Sequence, residues 1–265
     1  MVPLFRGKRN PRGDAGGPYG WSGSYASWRE AAALCGGYDS AKILDRVRES
    51  TIRVRDGQAV YERDSVLFDR VEYSWPCLSA LLYIALANDH RLNLIDFGGS
   101  LGTTYYQNRR FLSAVRDLQW SIVEQKAFVT CGKELFENEH LRFHDDFDRC
   151  RVESGADTLL VSSSIQYLEN PFGMVDRFVH AGFRYMIFDR TGFAETPDHG
   201  ITIQRVPPNI YEASYPCWIF NYGKFLGLFT ERFEVVSEFR AFVGDSYTVN
   251  GLAAGDRGFF LERKE

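Results

Sequence analysis

From about residue 91 onward the apolar residues gather into short unbroken runs: LNLIDF (92–97), WSIVEQ (120–125), LRFHD (141–145), DTLLVSS (157–163) and FRYMIFD (183–189). Between them, roughly over 103–118, 126–138 and 171–181, apolar positions recur with helical spacing. Short apolar runs predict strands buried on both faces, and the amphipathic stretches predict the helices that cover them. Two later runs, FEVVSEFRAF (233–242) and RGFFLERK (257–264), have no helical stretch between them and predict an antiparallel pair. The pattern predicts an α/β fold, a doubly wound and mostly parallel seven-stranded sheet with a C-terminal antiparallel hairpin. That ending is unlike the wholly parallel order of a dinucleotide-binding dehydrogenase.

The front of the chain has a different rhythm. Ser27 precedes the helical pattern WREAAALC with Glu30 three residues on, a capping box, and Gly36-Gly37 stops it. AKILDRVRES follows, apolar at 41, 43, 44 and 47, then a turn at Asp56-Gly57. Residues 64–88 read as helical again, with Pro76 as a kink or break. Residues 1–20, rich in Gly, Pro and Arg, predict a flexible tail. The expected organisation is tail 1–20, an N-terminal helical cap or lid over 21–90, and a ligand-binding domain over 91–265.

Composition narrows the function classes. The 265 residues are 45% hydrophobic and 25% charged, with a net charge of −4. That is an ordinary globular balance, without a field that would draw nucleic acid; the basic residues of 6–12 are interrupted by Gly and Pro. No run approaches the ~18 apolar residues of a membrane span, and the N-terminus lacks a signal peptide's apolar stretch. The five cysteines (35, 77, 131, 150, 217) form no CxxC pair and have no metal-ligand spacing with histidine. The expectation is reduced thiols, a cytoplasmic location, and no metal site.

The candidate chemistry begins at the first strand, which delivers Asp96-Phe97-Gly98-Gly99-Ser100-Leu101-Gly102. Glycines allow a tight turn and close backbone approach to a ligand, and the helix opening at Thr103-Thr104 offers free N–H groups. The second strand ends in Glu124, whose carboxylate suits both hydroxyls of a ribose. The third ends in Asp145-Asp146-Phe147; an aspartate there can accept from an adenine amino group while Phe147 packs on the ring, and the adjacent acids leave the choice open. The fourth leads into Ser162-Ser163-Ser164-Ile165-Gln166-Tyr167, where Ser162 joins the cofactor set and Gln166 and Tyr167 the acceptor set. An arginine at Gly99 is expected to fill the ligand path and leave the fold intact.

The stretches IDFGGSLGTTYYQNRRFL, WSIVEQ, SSSIQYLENP, MIFDRT, VPPNIYEASYPCWIF and WSGSYASWREA resemble a family of bacterial methyltransferases within the class I S-adenosylmethionine-dependent enzymes, from about Trp21 to about residue 245. The resemblance implies a Rossmann-like fold, S-adenosylmethionine as cofactor, and the glycine loop and Glu124 as its holders. Members often lie among genes for surface polysaccharide, which suggests a sugar acceptor. The loop departs from the usual acid-x-Gly-x-Gly-x-Gly because Ser100 stands at a glycine position, which bears on the backbone contacts.

Methylation of a hydroxyl requires a base. His199, in the polar segment after the fifth strand, is the best placed by location, and Asp189, beside Arg190 at that strand's end, is its rival. Tyr105, Tyr106, Tyr167, Tyr211, Tyr215 and Trp218 fall near the expected ligand edge, and aromatic faces suit a sulfonium or the apolar face of a sugar. The sequence reading is thus an O-methyltransferase of a small hydroxylated metabolite. Its alternatives are a nicotinamide-dependent oxidoreductase and a catalytically silent binding protein on the same fold.

Overall fold

The computed structural model describes residues 19–36, 40–208, 210–211, 213–244 and 246–265, without the side chains of 40–42. Most of the predicted tail, residues 1–18, and Gly37 lie outside them. The described chain forms two compact units, Ser40–Val161 and, with residues 19–36, Ser162–Glu265.

Chain order starts with β1 (Gly20–Tyr25) and α1 (Trp28–Ala33) of the second unit. The first unit follows with α2 (Ser40–Arg55), β2 (Tyr61–Arg63), β3 (Val66–Phe68) and α3 (Trp75–Ala87). It continues as β4 (Arg91–Phe97), α4 (Thr103–Leu112), β5 (Asp117–Val123), α5 (Lys126–Leu135), β6 (Leu141–His144), α6 (Phe147–Ser154) and β7 (Thr158–Ser162). The second unit resumes with a 3-10 turn at Ile165–Tyr167, α7 (Pro171–His180), β8 (Tyr185–Ala194), β9 (Gly200–Val206) and β10 (Ala213–Asn221). It ends with α8 (Tyr222–Gly227), β11 (Phe233–Arg240), β12 (Tyr247–Val249) and β13 (Leu252–Arg263).

The fold is mixed α/β. In the first unit, four strands pair in parallel in the order β7-β4-β5-β6. Their near-continuous apolar runs are explained by burial: Leu92, Leu94, Ile95, Trp120, Ile122, Leu141, Leu159 and Leu160 are inaccessible to solvent. In the second unit the order is β1-β9-β10-β8, and β13 pairs antiparallel with β8 on one side and with β11 on the other. The predicted C-terminal antiparallel pair is therefore present, and its last strand lies between β8 and β11.

The front segment departs from its helical expectation in three places. Gly20–Tyr25 is a strand, paired antiparallel with β9 from Gly20–Arg205 to Tyr25–Ile201; GWSGSY is poor helix-forming sequence, and the partner that selects the strand lies some 180 residues away. Tyr61–Phe68 is a hairpin whose turn residues Asp64 and Ser65 both adopt left-handed conformations (φ 51 and 64), the geometry that matches strand twist. Pro76 sits in the first turn of α3, where its missing N–H is one that a helix start leaves unpaired anyway, so it starts that helix and does not break it.

β9 and β10 are additions to the seven predicted strands. Pro216 within β10 faces Ile203 of β9, and β10 meets β8 only at Phe220–Phe193 and Asn221–Ala194, past the proline. No helix among the described residues is long and apolar enough to cross a membrane.

Candidate cofactor loop and acceptor face

In the first unit the glycine loop leaves the C-terminal end of β4. Gly98 and Gly102 take φ values of 74° and 99°, left-handed conformations that glycine adopts without penalty. Ser100 also takes a left-handed conformation, φ 56°, which strains a residue that carries a Cβ. Gly99 is required for a different reason, lack of room: a Cβ there would lie 2.6 Å from the Asp96 carboxyl.

Asp96 itself is 1% exposed, and its Oδ2 accepts the Trp120 indole N–H at 3.0 Å. It organises the loop from beneath. Glu124, one residue past β5, accepts the Gln125 N–H at 2.6 Å, and the Ser100 N–H of the loop also favours its charged form. Burial pushes its carboxyl above the ordinary range, and those two N–H groups partly offset the effect. The acid at the second strand's end thus lies within electrostatic reach of the glycine loop.

The two adjacent aspartates have different jobs. Asp146 is the N-cap of α6, its Oδ1 accepting the Arg149 N–H at 2.7 Å, while Asp145 pairs with the Arg149 guanidinium at the surface. Both are exposed, and it is Asp145 whose carboxylate is not used as the helix cap. Phe147 is buried, edge-on to Phe97 at 6.1 Å.

Tyr105 and Tyr106, expected near the ligand edge, are both buried, at 9% and 8% exposure. Tyr105 packs edge-on against Trp120 at 5.8 Å and Tyr106 against Phe136 at 6.3 Å. Desolvation pushes the Tyr106 phenol up to about 12. Tyr105 packs α4 on β5 of the sheet, and Tyr106 packs it against the end of α5.

The second unit gathers the remaining residues. β8 carries a bulge: Asp189 and Arg190 together oppose the single residue Gly258, since Phe188 pairs with Phe259 and Thr191 with Arg257. Arg190 sits at φ 50°. Such bulges re-aim side chains. Here Arg190 Nε donates to Ser162 Oγ at 3.2 Å, Asp189 Oδ1 accepts the Arg190 N–H at 2.9 Å, and Gln166 Nε2 donates to the Arg190 carbonyl at 3.1 Å. Ser162, Gln166, Asp189 and Arg190 are all buried, and Gln166 Oε1 has no hydrogen-bond partner. Arg190 was visible in the sequence only as a neighbour of Asp189; its role depends on the bulge, which has no local sequence signal.

Beside this cluster lies an aromatic face. Tyr167 donates its hydroxyl to Gln204 Oε1 at 2.8 Å and meets the Tyr215 ring edge-on at 5.3 Å; the Tyr211 and Tyr215 hydroxyls lie 3.4 Å apart. Trp218 donates its indole N–H to the Leu168 carbonyl at 3.0 Å and stacks with Trp28 at 6.4 Å. All four are half-buried.

His199 does not fit its expected role as base. Its Nδ1 accepts the Asn221 N–H at 3.1 Å, and its ring packs 4.8 Å from Phe172 and 5.7 Å from Phe220. A neutral imidazole accepting at Nδ1 carries its proton on Nε2, so it presents a donor to any ligand. Burial also holds its pKa below the ordinary value. His144 is drawn toward Glu153 of α6 at 3.5 Å.

No protein-family model matches the chain, and no curated protein does. Solved structures of similar shape include the N-terminal domain of EvdMO1 with SAH bound, 9% identical, covering 82% of this chain and 97% of that one, with a TM-score of 0.49. Another is an S-adenosylmethionine-dependent methyltransferase from Clostridium acetobutylicum, 8% identical over 72% and 92% of the two chains, TM-score 0.46. A third is the glycopeptide N-methyltransferase MtfA complexed with sinefungin, 10% identical over 71% and 87%, TM-score 0.46.

Proposed function

We propose that this chain is an S-adenosylmethionine-dependent methyltransferase acting on an oxygen of a sugar or another small hydroxylated metabolite. The observation that carries the reading is the placement of Glu124 beside the glycine loop, where the Ser100 N–H helps to favour its charged form against burial. It sets an acceptor for ribose hydroxyls beside a backbone that bends through Gly98, Ser100 and Gly102 to receive a ligand. This donor and acceptor set fits an adenosine-type cofactor: Glu124 for the diol, Asp145 for the adenine amino group, and loop N–H groups for the amino-acid end. The insertion of antiparallel β13 between β8 and β11 supports the methyltransferase over a nicotinamide-dependent enzyme, whose sheet is parallel to its end.

When bound, the cofactor supplies a methyl group already activated on a sulfonium, so positioning the acceptor is most of the protein's task. The half-buried faces of Tyr167, Tyr211, Tyr215 and Trp218 suit the apolar face of a sugar ring, and Gln166 Oε1 is an acceptor ready for a hydroxyl. Asp189, re-aimed by the bulge, is the group we assign to take the acceptor's proton. Ser162 positions Arg190, whose backbone N–H holds the Asp189 carboxylate.

Calorimetric titration with S-adenosylmethionine, S-adenosylhomocysteine and NAD tests the reading. Binding of the first two and not of NAD is expected. Binding of NAD alone would replace it with the oxidoreductase. S-Adenosylmethionine binding without turnover across a panel of sugars would favour a silent binding protein.

A further inference from the structure

The sheet of the second unit carries one carboxamide in a row of aromatic side chains. Gln204 of β9 stands in register with Trp21 of β1 on one side and with Tyr215 of β10 on the other. Residues directly opposite one another in a sheet share a face, so the glutamine sits between two aromatic residues. The same face carries Thr202 and Cys217, both buried. Tyr167 lies over it, packed against the cluster of Trp21, Cys217 and Ile219 and meeting the Tyr215 ring edge-on at 5.3 Å.

Packing alone does not call for this glutamine. A leucine or a methionine would fill the place without a carboxamide to desolvate. The Tyr167 hydroxyl donates to Gln204 Oε1 at 2.8 Å, and that bond fixes which way the amide points. With its oxygen held, the two N–H donors of Nε2 are directed away from Tyr167. They have no partner among the described residues and are not enclosed, and Gln204 is half-buried, so a ligand can reach them. The result is a fixed donor set among aromatic rings. A pyranose matches it, with C–H groups on one face for the rings and hydroxyl oxygens at its rim for the amide. A flat phenol would use the rings but carries no oxygen standing out of its ring plane.

We infer that Gln204 is a specificity-determining residue of the acceptor face, donating a hydrogen bond to a ring hydroxyl of a pyranoside that lies against Tyr215, with Tyr167 holding the amide in place. The inference rests on the acceptor face proposed above and names its substrate class, a pyranose in preference to a flat phenol. It divides the work between two glutamines: Gln166 accepts from a hydroxyl through Oε1, and Gln204 donates to one through Nε2.

The probes are the methyl pyranosides of glucose, galactose, mannose and rhamnose, with catechol as the flat comparison. Each is titrated into the full chain, with and without S-adenosylhomocysteine, and followed by saturation-transfer NMR. At least one pyranoside should bind saturably and more tightly than catechol. Among its singly deoxygenated analogues, one should bind the wild type about threefold to tenfold more weakly, the size of one neutral hydrogen bond. In Gln204→Met that analogue should bind as well as its parent, because the donor is already gone. The same loss in wild type and Gln204→Met would overturn the inference. So would deoxy analogues that all bind like the parent, pyranoside affinity unchanged in Gln204→Met, or catechol binding as tightly as the pyranosides. If the variant does not fold, the unaltered protein decides: the Gln204 side-chain amide resonances should shift when the pyranoside saturates the protein, and unmoved resonances would overturn the inference. S-Adenosylhomocysteine binding with no saturable pyranoside binding refutes this inference and leaves the cofactor reading standing. Gln204-dependent pyranoside binding without S-adenosylhomocysteine binding refutes the cofactor reading and leaves this inference standing.

Discussion

Gly99→Ala adds one methyl group at a place where the structure has none to spare. Its Cβ would stand 2.6 Å from Asp96 Cγ and Oδ2 and 3.0 Å from Oδ1, well inside the ~3.5–4 Å at which carbon contacts are favourable. The Asp96 carboxylate cannot simply yield. It is 1% exposed and accepts the indole N–H of Trp120, a side chain with no exposed surface of its own. Rotating it away strands a buried donor, at about 1–3 kcal/mol; keeping it lifts the loop, an overpacking cost of about 1–3 kcal/mol. We expect a loss of about 2 kcal/mol, or about 5 °C in melting temperature for a chain of this size. S-Adenosylhomocysteine affinity should fall at least ~10-fold, since a shift of the loop misaligns several weak contacts together. Thermal melting and calorimetry read the two effects. The sharper assay is a double-mutant cycle: with Asp96→Ala in place, Gly99→Ala should cost little, because the clashing carboxylate is gone. Additive effects, or a Gly99→Ala protein with wild-type stability and affinity, would refute the account. The geometry also corrects the expectation for Gly99→Arg: its first side-chain atom meets Asp96 before any ligand path, so the substitution should destabilise the fold as well as block binding.

Ser100→Gly should raise the melting temperature, because the left-handed backbone at φ 56° costs a non-glycine residue about 1–2 kcal/mol, of which the greater unfolded freedom of glycine returns part; an unchanged or lower value would mean the serine side chain offsets the strain. Glu124 gives a pH signature. Its carboxyl is raised from 4.5 by burial, so the folded protein holds that proton more tightly than the unfolded chain. Its contribution to stability is therefore present at low pH and lost as pH rises through the folded value, and Glu124→Gln should remove that part of the slope. S-Adenosylhomocysteine affinity should run the opposite way, rising across the same window as the carboxylate ionises and accepts hydroxyls better. Identical pH profiles for the wild type and Glu124→Gln would refute the assignment.

The glycine loop, its flanking strand and helix, Glu124, and the closing strands 233–242 and 257–264 were legible in the sequence because each is a local pattern. A short apolar run ending in Asp and Gly, followed by helical spacing, specifies a strand, a tight turn and a helix from neighbouring residues alone. The second-unit cluster was half legible. Asp189, Gln166, Ser162, Tyr167, Tyr211, Tyr215 and Trp218 were named from their places at strand ends, and the structure gathers them in one unit. The bulge that makes Arg190 their organiser arises from a register slip against β13, some 70 residues on.

What the tertiary structure alone decided has a common physical cause: the deciding partner is remote in sequence. GWSGSY becomes a strand because β9 offers it unpaired backbone. Glu62 is buried against α4 because the hairpin places it on Thr103, 41 residues away. His199 is removed as a base by one backbone N–H, that of Asn221. Tyr105 and Tyr106 are claimed by Trp120 and Phe136. The sequence by itself determined where the chain turns after its first parallel strand and which acid ends the next strand, since those depend on period and on glycine. Which polar side chains remain available for chemistry was decided only when folding satisfied the rest, because a buried donor or acceptor takes whichever partner the packing brings to it.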